Sequence, residues 1–157
     1  MLKFTDVLGE FSEKLGLGAL KPDADGSIAF LFDDRYEITF TPDKDDGSLL
    51  MYCEMEDADR LEKPDLCRLM EASVLGARTG GAAFGILGSL NRLVLWKRYD
   101  DRFEDVSDLE RKVNEFLPQI IYWKEHLGDS NASGETAAAS SGDDGDYGFG
   151  GFGNMSV

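Results

Sequence analysis

The chain has 157 residues, 42% hydrophobic and 30% charged, which is enough to bury a self-sufficient core as one domain. Its net charge of -15 repels nucleic acid and anionic lipid, so neither is expected as a partner. No apolar run approaches the roughly 18 residues of a membrane span, and the N-terminal MLKFTDVLGEF lacks a signal-peptide core, so a cytoplasmic protein is expected.

Thr5 precedes Val7, Leu8, Phe11 and Leu15, the spacing of one helical face, and Gly16 and Gly18 end that helix. Turn residues from Lys21 to Gly26 lead into a strand over 27–32. The Asp33-Asp34 pair connects it to a second strand over 35–40, where Tyr36, Ile38 and Phe40 alternate with Arg35, Glu37 and Thr39. A second turn, Pro42 to Gly47, precedes a third strand over 48–55. The spacing predicts a meander of three antiparallel strands.

Pro64 fits the first turn of a second helix carrying Leu66, Leu69, Met70 and Val74, stopped by Gly76, Gly80 and Gly81. Strands follow over 82–87 and 92–98. Ser107 with Glu110 has the pattern of a capping box, opening a helix through Leu109, Val113, Phe116, Leu117, Ile120, Ile121 and Leu127, with a kink expected at Pro118. Residues 1–127 thus form one domain. Residues 128–157 are rich in Gly, Ser, Ala and acids and are expected to be a disordered tail. Of the net charge, -5 lies in this tail and -10 before it. The tail closes on DYGFGGFGNMSV, which places Tyr147, Phe149 and Phe152 among glycines.

No catalytic constellation is legible, and the chain is not expected to be an enzyme. His126 is the only histidine and has no serine or cysteine spaced to partner it. Zinc needs about four Cys or His ligands, and Cys53 and Cys67 read as reduced core residues. The acidic turns lack the spacing of a calcium loop, and the glycines from Gly76 to Gly88 lack the lysine of a phosphate loop. No cofactor or metal is expected.

What remains is apolar surplus. Helices covering one sheet face leave the other to be polar, yet both faces of these strands are apolar. Ala29 and Leu31 oppose Ile28, Phe30 and Phe32. Leu50 and Tyr52 oppose Leu49, Met51 and Cys53. Phe84, Ile86, Val94 and Trp96 are read against Leu87, Leu93 and Leu95. Such surplus marks interfaces, here a two-fold dimer through the second helix and last two strands, and an extended client along the first helix and first strands.

The order helix, three strands, helix, two strands, helix resembles the Tir chaperone (CesT) family, the class I type III secretion chaperones. The stretches that carry the resemblance are DADGSIAFLFDDRYEITF, LCRLMEASVLGARTGGAAFGI, RLVLWKRY and the closing helix with YWKEHL. It implies an α+β sandwich with a five-stranded, mostly antiparallel twisted sheet and three helices in the order α-βββ-α-ββ-α. It also implies a homodimer that binds the extended N-terminal region of a secreted effector and keeps it soluble and export-competent. By position, Val7, Leu8, Phe11, Phe30, Phe32, Tyr36 and Ile38 would form the client groove. Leu66, Leu69, Met70 and Val74, with Phe84, Ile86, Val94 and Trp96, would form the dimer seam. The alternative is a regulatory or stress-associated adaptor of YbjN-type fold that binds a folded partner.

Overall fold

The computed structural model describes residues 4–17, 21–43, 45, 47–100 and 105–127. Gly18 and the tail over 128–157, for which disorder was expected, lie outside them. The described chain is α+β: α1 (Phe4–Lys14), β1 (Ile28–Phe32), β2 (Tyr36–Pro42), β3 (Leu49–Asp57), α2 (Lys63–Ser73), β4 (Ala83–Leu87), β5 (Arg92–Tyr99) and α3 (Val106–His126). All strand pairs are antiparallel, in the spatial order β1-β2-β3-β5-β4. The last two strands therefore add in reverse, leaving β1 and β4 at the edges.

Local chemistry sets the boundaries. Helix α1 begins at Phe4, so Thr5 lies inside it rather than ahead of it. It ends at Lys14, two residues ahead of Gly16, whose φ of 70° lets Leu17 N–H reach the Ser12 carbonyl, while Gly16 N–H reaches that of Glu13, each at 3.0 Å. Glu62 and Asp65 cap α2 reciprocally around Pro64. Helix α3 is capped by Asp105, which accepts from Asp108 N–H at 3.0 Å, so Ser107 sits within the first turn instead of capping it. It continues through Pro118 as one element to His126. After α2 the chain tightens into a turn where a Cβ on Gly76 would lie 2.4 Å from the Gly81 Cα. No residue but glycine fits there.

The core lies between one sheet face and the helices α1 and α3. Val7, Leu8 and Phe11 of α1 and Leu109, Val113, Phe116, Ile120 and Trp123 of α3 are buried against Phe30, Ile38, Phe40, Met51 and Leu95. Phe11, Phe30 and Phe40 form an aromatic knot, with edge-to-face pairs at 5.4 and 5.3 Å. Cys53 belongs to this core, whereas Cys67 is exposed on α2, contrary to its expected burial. The helical period at Cys67 puts it on the face opposite Leu69 and Ala72.

Burial pushes the Cys53 thiol up to about 11, against a weaker opposing pull from Lys124. Burial also raises Tyr99, whose hydroxyl donates to the Lys112 carbonyl at 3.3 Å. Both groups are neutral when protonated, and both have raised folded values. Their contribution is therefore intact below the unfolded pKa and lost as pH rises through the folded one. The urea midpoint is expected to fall between pH 9 and 11, with Cys53 alone contributing up to about 3 kcal/mol. A midpoint unchanged over that range, or a Cys53→Ala variant with the same slope, would show that these groups are hydrated in the fold.

Candidate binding surfaces

The first candidate surface is the β1 edge with the end of α1 beside it. Phe11 packs over Phe30 and Phe32, the latter at 6.4 Å between ring centroids, so α1 crosses the sheet at β1. Of the residues assigned to a client groove, Val7, Leu8, Phe11, Phe30, Tyr36 and Ile38 are buried within the protomer. Only Phe32 is partly exposed. Their neighbours are the residues that reach solvent: Leu15, one turn beyond Phe11, with Leu17 and Leu31. Among the described residues β1 pairs with β2 alone, which leaves its other edge open.

The second surface lies across the sheet, at α2 and the β4 edge. Phe84 N–H points away from β5 and donates to Ser73 Oγ at 2.9 Å, which fastens the end of α2 to this edge. Ile86, two residues on, has the same phase. Leu66, Met70 and Val74 are exposed, Met70 at 71%, while Leu69 turns inward and is buried. Val74 lies past the end of α2, in a short 3-10 turn.

Strand register divides the residues assigned to the dimer seam. Phe84 pairs with Leu95 and Ile86 with Leu93, so all four share the face that carries the helices. Val94 pairs with Gly85 and lies with Trp96 and Leu87 on the opposite face. Phe84 and Ile86 therefore do not share a face with Val94 and Trp96, contrary to the expectation from the sequence. The four-residue turn from Gly88 to Asn91 aligns Leu87 with Arg92, which puts even-numbered positions of β4 opposite odd-numbered ones of β5.

Leu75 went unremarked in the sequence. It is 99% exposed with φ 54°, a left-handed backbone that an L residue with a bulky side chain adopts at some cost. Leu90, 56% exposed in the β4–β5 turn, was also missed. The available signal was a leucine directly before a turn glycine or Asn, where no core needs it.

Nothing described resembles a reaction centre. Among the described residues no group of three His, Cys, Asp or Glu side chains could hold a metal. His126 stacks on Tyr122 at 4.1 Å, with its Nδ1 2.6 Å from the Tyr122 carbonyl, a local contact within α3. No described helix is long and apolar enough to cross a membrane.

The model of the Tir chaperone protein (CesT) family matches residues 6–124, from the first turn of α1 to the last turn of α3. The chain belongs to the Tir chaperone family. It is therefore a type III secretion chaperone, and a chaperone's role is non-enzymatic.

Solved structures with the Tir chaperone fold include the ExsC–ExsE complex, with a TM-score of 0.70 at 20% identity, covering 82% of this chain and 96% of that one. The HopA1–SchA chaperone–effector complex matches at 0.63 and 20% identity, over 79% and 94%. The Yersinia pestis type III secretion chaperone SycH, solved with a fragment of YscM2, matches at 0.55 and 14%, over 74% and 96%. At these identities the likeness shows the fold. No curated protein matches the sequence.

Proposed function

We propose that this chain is a cytoplasmic homodimer that holds the extended N-terminal region of a secreted effector, keeping it soluble and export-competent. The observation that carries the reading is the family match, which spans every described element. The HopA1–SchA neighbour is a chaperone–effector complex.

The geometry supplies a physical route. An extended segment gains main-chain hydrogen bonds by adding to a free sheet edge, and its alternate side chains enter apolar pockets beside it. The β1 edge, flanked by Leu15, Leu17, Leu31 and Phe32, offers both. The buried residues Val7, Leu8, Phe11, Phe30, Tyr36 and Ile38 form the wall behind that edge. The exposed side of α2, with Leu66 and Met70, and Val74 just beyond it supply the dimer seam.

The direct test is to purify the tagged chain from its own cells, identify the bound partner and map the protected segment by limited proteolysis. One partner protected over an extended N-terminal stretch is expected. A folded, fully protected partner would favour the adaptor reading instead. A narrower test is the double variant Leu15→Asp/Leu31→Asp. It is expected to weaken client binding about 5- to 30-fold, the effect of losing 1–2 kcal/mol of apolar contact, while the dimer persists. Unchanged client affinity would move the client away from the β1 edge.

A further inference from the structure

The sheet has a second face that no described helix covers. Ala29, Thr39, Tyr52, Trp96 and Ala83 are successive cross-strand partners through all five strands, an uncharged row running across the middle of that face. Tyr52 and Trp96 are directly opposed at its centre. Trp96 is 37% exposed and lies over Gly85, where a Cβ would meet the indole Nε1 at 3.3 Å. In the adjoining row Thr41, Leu50 and Arg98 border a shallow cavity of about 360 Å³. A wet aromatic pair beside an open cavity is a docking surface; it is centred on β3 and β5, away from the exposed side of α2, and only its Ala29 end adjoins Leu31 at the β1 edge.

We propose that its occupant is the end of this same chain, residues 147–157, laid over Tyr52 and Trp96. Charge singles out this piece. All five acids beyond Leu127 lie at Asp129, Glu135, Asp143, Asp144 and Asp146, and the last eleven residues carry none. An acidic body repels the first stretch and tolerates the second.

Side-chain chemistry fits as well. Tyr147 and Phe149 alternate, so an extended backbone presents both rings on one side. Gly148, Gly150 and Gly151 let that backbone approach a flat surface closely. Phe152, three residues on, falls on the other side of a straight extended chain, and a turn at Gly150-Gly151 brings it to the cavity beside Leu50. Aromatic rings meeting Tyr52 and Trp96 edge-on gain the quadrupole term in addition to burial.

Reach is no obstacle. The stretch 128–146 spans up to about 60 Å when extended, against a radius of gyration of about 14 Å for a domain of this size. Tethering makes the docking intramolecular, so even a weak contact is populated at an effective concentration in the millimolar range. The chain then shields its own apolar face when nothing else covers it.

The test reads Trp96 directly, because the other tryptophan, Trp123, is buried at 6% exposure and hidden from a polar quencher. Deleting residues 147–157 is expected to shift tryptophan emission to the red and raise the acrylamide quenching constant, with the far-ultraviolet circular dichroism unchanged. Adding the peptide 147–157 should reverse both, and Trp96→Phe should abolish the response. In the full chain, Tyr147→Ser/Phe149→Ser/Phe152→Ser should behave like the deletion. Identical emission and quenching with and without the segment would overturn the proposal. So would shielding that rises with protein concentration and ignores the deletion, since a second copy would then be the occupant.

Discussion

Phe11→Asp is expected to unfold the protein, not merely to release its client. Phe11 is 2% exposed and touches Phe30, Phe32 and Phe40, so it holds α1 to three positions on two adjacent strands. Truncation to alanine at such a site costs about 3–5 kcal/mol through lost transfer energy and an unfilled cavity. A carboxylate adds the cost of an unpaired buried charge. Domains are stable by only about 5–15 kcal/mol, so the aspartate variant has little left. Circular dichroism and chemical denaturation would check both variants. A folded, dimeric Phe11→Asp protein that had lost its client would show that α1 lifts from the sheet, with a groove lined by Phe11 and Phe30 opening beneath it.

The second large effect is expected at the dimer. Met70→Glu should convert the protein to a monomer at micromolar concentration while leaving the fold intact, because Met70 is 71% exposed and supports nothing within the protomer. In a two-fold interface the change occurs twice and sets like charges against each other across the axis. Losing about 2–4 kcal/mol from a central apolar contact weakens association roughly 30- to 1000-fold. Sedimentation velocity or light scattering over a concentration series would resolve this. A Met70→Glu protein that remains dimeric would move the seam away from α2. Such a result would leave client binding at β1 untouched, since the two surfaces lie at opposite edges of the sheet.

Much of this fold was legible because its signals are local. Alternation in Tyr36–Phe40 made a half-buried strand, Gly16 ended α1 through its left-handed backbone, and Pro64 marked the first turn of α2. The even-length turn between Leu87 and Arg92 also carried the parity of β4 against β5. The division of Phe84 and Ile86 from Val94 and Trp96 could therefore have been read from the strand ends alone. The Asp105 cap was harder to find, because Ser107 with Glu110 offered an equally good local pattern two residues later.

The sequence by itself determined the number and order of the elements, the alternation within each strand and the acidic charge. Only the tertiary structure decided which apolar residues are core. Phe11 and Met70 look alike in a helical pattern, yet one is sealed beneath α1 and the other stands in water. The physical reason is that burial of apolar surface has no direction and no memory of its partner. A leucine is equally satisfied by its own helix, a second copy or a client, and only strand order and helix placement decide which of these reaches it first.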